Sequence, residues 1–304
     1  MSGDTSTCGV HLDGARQLFQ HMWSEKKSFS EKKKALYRIY CYLRIIWEST
    51  QVITAEESTS SSPRMITSES IFQRFEQKGS QYSSPGRLPG LIEITASASF
   101  ECIYGIPESL LALLEKVIRI IDQVDRARAS ISSTGWPEEL SLACDALEQS
   151  ILDWSYEEIL ETTSSLTEGP NAEMVRHQTQ SFHSALVIFL SQNIRLLDHR
   201  YLRLYVEAIL ESIEAIEKIK ANTNMLAAPL FWPAFIAASE AFDAEHQARF
   251  RKWYDKVSSY GIAAVRTGIQ VIHEVWDQGP SRTRAHTSSW RRIIQSSGRN
   301  LMLS

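Results

Sequence analysis

The stretch Leu230–Ala241, LFWPAFIAASEA, decides how the rest of the chain is read. It is apolar almost throughout, yet it falls short of the ~20 residues a helix needs to cross a bilayer. A proline also stands directly behind a tryptophan. Proline has no amide to donate and disfavours helix at the residue before it. In PLFWPAFIAASEA, Pro229 and Pro233 therefore bracket a non-helical apolar entry, and Pro233 opens a helix. The segment is predicted to be a buried corner between helices, anchored by Phe231, Trp232 and Phe235. The competing reading is a corner that touches a ligand.

The flanking sequence supplies the helices such a corner would join. Leu110, Leu114, Val117, Ile121 and Val124 recur at steps of four and three, as do Leu202, Val206, Ile209, Ile213 and Ile216. Ile262, Val265, Ile269, Ile272 and Trp276 do the same. Each set lines one face of a helix with charged residues between. Strand-like alternation is almost absent, so the fold class is all-α, a set of antiparallel packed helices. Pro107 is placed to open ESLLALLEKVIRIIDQV, where a missing amide costs nothing. Gly135, Pro137, Glu138 and Glu139 restart a helix, and Gly169-Pro170 breaks the chain before another that is predicted from about Ala172 to Leu197.

Four segments follow. Residues 1–49 read as amino-terminal helices, 50–98 as a Ser/Pro/Gly-rich surface loop, 99–278 as the helical core and 279–304 as a basic tail. The tail carries Arg282, Arg284, Arg291, Arg292 and Arg299 and no acid; SSWRRII within it either docks as an amphipathic turn or lies on the surface. No internal repeat is visible.

Composition narrows the function. The 304 residues are 43% hydrophobic and 22% charged, an ordinary globular balance that can bury one large core or two smaller ones. The net charge of −4 argues against binding a polyanion through overall electrostatics. The start, MSGDTSTCGVHLDG, lacks the charged and apolar regions of a secretory leader. No apolar run is long enough to span a membrane. Cys8, Cys41, Cys102 and Cys144 form no close pair and read as reduced, mostly buried thiols.

The motifs of catalysis and cofactor binding do not appear. There is no nucleophile elbow and no glycine-rich phosphate turn. His177 and His183 lie six apart, outside the one-turn spacing that sets two metal ligands on one face. DQVD at Asp122–Asp125 has two acids beside arginines and reads as a solvated helix face rather than a magnesium site. SEKKSFSEKKK, at Ser24–Lys34, reads as a solvated helix start diluted by Glu25 and Glu31, with a weak nuclear-import signal as its functional alternative. No catalytic residue, metal ligand or cofactor is expected.

Several blocks, in their order along the chain, carry a family resemblance: HLDGARQLF (His11–Phe19), LYRIYCYLRIIWEST (Leu36–Thr50), FECIYGIPESLLALL (Phe100–Leu114), LEQSILDW (Leu147–Trp154), HSALVIFL (His183–Leu190), LFWPAFIAASEA and SSYGIAAVRTGIQVIHEVW (Ser258–Trp276). The tail SSWRRIIQSSGRNLMLS adds to them. The chain resembles the regulatory domain of fungal binuclear zinc-cluster transcription regulators, in the branch that contains the arginine-metabolism regulators. Such regulators carry a six-cysteine cluster that holds two zinc ions and docks a helix in the DNA major groove. No such cluster is present here, and the HLDGA block stands close to Met1. The expectation is therefore a domain without its first helices.

The resemblance implies a nuclear, pathway-specific transcription regulator without its own DNA-binding module, with a cytoplasmic location as the alternative. Control would run through shifts in helix packing. Its partners would be the transcriptional machinery or another regulator, with room for a homodimer and for a small-molecule effector, and with no specific DNA contact by this chain. Tyr104, Trp232, Phe235, Glu240 and Trp276 are the residues expected to organise the interior or meet a ligand. Glu240 stands out, because a carboxylate near an apolar corner is costly without a partner. The alternative function is a helical scaffold recruited for small-molecule binding or catalysis in a specialised biosynthetic pathway.

Overall fold

A computed structural model describes residues 7–24, 30–51, 106–129, 136–156, 169–224, 227–258, 263–280 and 288–303. Among the described residues there are ten α-helices and no strand, the all-α class predicted from periodicity. They are α1 (Cys8–Ser24), α2 (Glu31–Thr50), α3 (Glu108–Ala129), α4 (Glu138–Leu152) and α5 (Pro170–Leu190), which runs into a π-helical turn at Ser191–Arg195. Then follow α6 (His199–Thr223), α7 (Phe231–Ala238), α8 (Ala244–Ser258), α9 (Ala263–Gln278) and α10 (Ser289–Ser297).

The periodic faces are the buried faces. Leu110, Leu114, Val117, Ile121 and Val124 of α3 are all within 3% of complete burial, and so are Leu202, Val206, Ile209 and Ile213 of α6. On α9, Val265, Ile272 and Trp276 point inward, Ile269 is half-buried, and Ile262 lies outside the described residues. Each fully buried aliphatic or aromatic side chain stabilises the fold by roughly 1.5–3 kcal/mol before entropy is counted.

The deciding stretch occupies the centre. All eight residues of α7 are buried, and the helix packs against α5, α6, α8 and α9. A helix that is apolar on every side needs neighbours on every side. Its start differs from the sequence prediction: the helix begins at Phe231, two residues before Pro233. The first-turn amides have no partner one turn back within the helix, so proline at the third position loses no bond. Pro229 instead supplies a carbonyl to the Phe231 amide at 3.1 Å.

A second difference lies in α5. The single helix predicted to run to Leu197 ends at Leu190, widens into the π turn and stops at Leu196, whose φ of 53° is left-handed. Asp198 then caps α6, its side chain accepting from the Arg200 amide at 3.0 Å.

Among the described residues, α1 packs on α2 and the segment after α10 joins the core. Leu12, Phe19, Tyr37, Tyr40 and Cys41 form a satellite cluster between α1 and α2. There α1 approaches so closely that a Cβ on Gly9 would stand 2.9 Å from the Trp47 ring. After α10, Leu301 and Leu303 are buried, and the Thr50 hydroxyl at the end of α2 donates to the Leu301 carbonyl at 3.0 Å. Leu303 sits over Gly268, where an added Cβ would meet it at 3.1 Å. The tail arginines thus include buried Arg291 and Arg299, which pairs with Glu274. Residues 281–287, with Arg282 and Arg284, lie outside the described residues.

Candidate functional site: a polar inset around the π turn

A π turn accommodates one extra residue, which rotates the side chains that follow it, and such turns are frequent at functional sites. Here it follows the apolar run ALVIFL and turns three polar residues, Ser191, Gln192 and Asn193, into the protein, each at most 4% exposed. Buried polar groups need partners, and two sets of them meet at this turn.

The first set joins α5, α7 and α10. With its amide oriented to satisfy its neighbours, Gln192 donates to Glu240 Oε1 at 2.9 Å and accepts from Trp290 Nε1 at 3.2 Å. Burial of the Glu240 carboxyl, helped by the negative charge of Asp198, pushes its pKa up to about 8. The group therefore holds its proton at neutral pH and loses it just above, because among the described residues the site supplies a neutral amide and no compensating cation.

The second set ties the turn to α3. Arg128 donates to the Asn193 and Ile194 carbonyls, both at 2.8 Å. Arg291 of α10 donates to Asn193 Oδ1 and to Asp125 Oδ2, each at 3.2 Å. Burial, then the nearby Arg291 charge, lower the Arg128 pKa, while Asp125 works in the opposite sense. DQVD is therefore not a solvated face: Asp122 is 4% exposed, and Asp125 serves two arginines. On the outer side of the turn, Arg195 pairs with Asp145 and Glu148 of α4.

The expected interior residues fall around α7. Trp232, with no exposed surface, packs on Phe182 (ring centroids 4.8 Å apart) and Phe189 (5.7 Å), and its Nε1 donates to Ser49 Oγ of α2 at 2.9 Å. Phe235 meets Trp290 edge to face at 5.4 Å. Trp276 donates to the Ala238 carbonyl at 2.8 Å and lies under the Arg251 guanidinium. Phe235 thus touches Trp290 directly, Glu240 is joined to Trp290 only through Gln192, and Trp276 closes the end of α7. Tyr104 lies outside the described residues.

Sequence reasoning missed Gln192, Asn193, Trp290, Arg291 and Arg128. The available signal was SQN, a polar triplet placed where an apolar helix face should continue. His246 was missed too. It is 3% exposed, with Nε2 at 2.6 Å from Glu207 and Nδ1 at 2.6 Å from Asp243, so it bridges α6 and the start of α8.

Among the described residues, the cysteines do not converge as a zinc cluster requires. Cys8, Cys41 and Cys144 sit on three different helices as free thiols, burial raises the pKa of Cys41 and Cys144, and Cys102 is outside the described residues. A zinc–cysteine cluster needs converging thiolates. Among the described residues no trio of His, Cys, Asp or Glu is arranged for a metal, and no helix is long and apolar enough to cross a membrane.

The inset can hold and release one proton near neutral pH and link three helices through side-chain bonds, the equipment of a junction. The chain is 25% identical over 373 aligned residues to "Arginine metabolism regulation protein II" of Saccharomyces cerevisiae (strain ATCC 204508 / S288c). The match takes in 99% of this chain and 41% of that protein, so the chain spans about two fifths of its relative's length. No solved structure matches. The model of the fungal specific transcription factor domain matches residues 1–304, and the chain belongs to that family.

Proposed function

We propose that the chain is the regulatory part of a fungal pathway-specific transcription regulator, acting on genes of metabolism. The observation that carries this is the family match along the whole of residues 1–304. The relative's name adds a metabolic setting, arginine metabolism in its case. The chain acts without chemical turnover, in the nucleus, through the transcriptional machinery or another regulator, and leaves specific DNA contact to a separate module.

In this reading, the junction of the π turn, α7 and α10 is the element whose packing a partner or effector biases. A ligand shifts such an equilibrium only by its differential affinity for the two packings. The polar inset supports the reading because its hydrogen bonds are directional and join helices that otherwise meet through apolar contacts.

The test joins the chain to an unrelated DNA-binding module placed upstream of a reporter gene. The expected result is a severalfold change in reporter output against the module alone, in either direction. The Gln192→Leu variant, folded by circular dichroism, should alter that change. Output equal to that of the bare module, from a chain shown to be folded and nuclear, would refute the proposal.

A further inference from the structure

We propose that α6 presents a self-complementary face through which two copies of this chain pair antiparallel about a twofold axis, at the level midway between Leu204 and Ala208. The helix has a second apolar stripe besides its buried one. Tyr201, Leu204, Tyr205 and Ala208 recur at the three- and four-residue spacing that sets side chains on one helix face. Tyr201 is 74% exposed and Leu204 82%, while Tyr205 and Ala208 are half-buried. Leu197, 43% exposed just ahead of the helix, extends the apolar surface at the same end. Exposed large apolar residues are ordinary singly; grouped along one helix they mark contact surfaces.

The charges beside the stripe name the partner. At about 100° per residue, Arg200 and Glu211 lie on the flank next to Leu204, one on either side of it along the axis. Arg200 is 84% exposed, and its nearest carboxylate, on Asp198, is 3.9 Å away. Glu211 is exposed and forms no ion pair among the described residues, and exposed Arg203 adds positive charge at the Arg200 end. The other acids on this flank are already engaged: Arg249 of α8 holds Glu207 and Glu214, and His246 also contacts Glu207. The face is therefore positive at one end and negative at the other, with apolar residues between.

Such a face fits its own copy turned end over end. At a rise of ~1.5 Å per residue, Arg200 lies about 9 Å to one side of the axis and Glu211 about 7.5 Å to the other. Antiparallel pairing then sets Arg200 of each copy against Glu211 of the other and seats each Leu204 over the small Ala208 opposite. A twofold contact uses every such pair twice. One helix pair over about three turns falls at the low end of interface sizes, so the dimer is weak and forms only at high concentration.

Sedimentation equilibrium of the purified full chain, from about 10 µM to about 1 mM, tests this. The average mass should rise above the 34.5 kDa of one chain as concentration increases. Leu204→Asp should weaken association by tenfold or more. Arg200→Glu and Glu211→Arg, tested separately, should each weaken it roughly tenfold by opposing like charges across the axis. An equimolar mixture of these two charge variants should associate again, since each then finds the opposite sign in the other. All three side chains are exposed, so the variants should melt as the parent does. A chain that stays at the monomer mass throughout overturns the proposal. So does association untouched by Leu204→Asp, or a mixture of the two charge variants that fails to recover.

Discussion

Replacing Glu240 by glutamine tests the central junction, because it keeps the shape of the protonated carboxyl and removes its titration. The folded-state pKa is raised from 4.5 to about 8, so between those values the folded protein holds a proton that the unfolded chain has released. Stability must fall as pH rises through this window and level off above it. At ~1.4 kcal/mol per unit the full effect is on the order of 5 kcal/mol, a large share of the about 5–15 kcal/mol that a domain holds. Glutamine carries no such dependence. Glu240→Gln should therefore match the parent near pH 4.5 and exceed it increasingly up to pH 8, with a melting temperature on the order of 5–10 °C higher at pH 8–9. His177 and His183, whose pKa values burial lowers, contribute with the opposite sign, stabilising less as pH falls. They are common to both proteins, so the difference between them isolates Glu240. Urea denaturation of the two proteins at half-unit steps from pH 4.5 to 9 measures it. Parallel curves would refute the argument that Glu240 is held neutral by the junction.

Two further substitutions probe the packing. Trp232→Ala removes a fully buried ring from between Phe182 and Phe189 and should cost about 3–5 kcal/mol in chemical denaturation; Trp232→Phe should cost less, because Ser49 keeps its bond to the Ile46 carbonyl at 2.6 Å. At the α3 side, Asp125→Ala should destabilise by roughly 1–3 kcal/mol, since it removes a half-buried acceptor from buried Arg291, which keeps its bond to Asn193. Arg291→Met should cost clearly less, because Asp125 retains Arg128 at 3.7 Å.

The legible parts of the fold are those decided by apolar spacing. The faces of α3 and α6 could be marked residue by residue, and that of α9 at Val265, Ile272 and Trp276, because a three-and-four repeat has one physical meaning in a helix. The central place of LFWPAFIAASEA was legible as a corner, but not that four helices surround it. An apolar run states that it is covered, not by what. Element ends were less legible. Pro233 was read as a start because it cannot accept helix before it cheaply, yet a first turn needs no donor from it. The π turn was invisible, since Ser191–Arg195 continues an α-helical pattern locally and only the partners of Gln192 and Asn193 make the wider turn worthwhile. Glu240 could be singled out by its apolar setting; Gln192, Trp290 and Arg291 could not, because they come from segments 48 to 51 positions away and contact each other only in the folded chain.

The same partners explain why the junction is polar at all. Leucine at Gln192 and Glu240 would bury more apolar surface and need no matched partners, and buried polar groups often hold less stability than apolar residues of their size. What the inset adds is direction. Trp290 and Glu240 can satisfy Gln192 together only when α10 and the end of α7 stand in one relation to the π turn. Arg291 enforces the same relation on α3 through Asn193 and Asp125. An apolar junction could slide by small steps; this one holds or breaks. Glu240 also draws the stability of the held state down as pH approaches 8, which under the proposed regulatory function brings the junction nearer the point where a few kcal/mol reverses it. That is the range a bound partner or effector can supply. The cost in stability and the capacity to be switched are two consequences of one uncompensated carboxyl, and under the proposed regulatory function the second accounts for retaining the first.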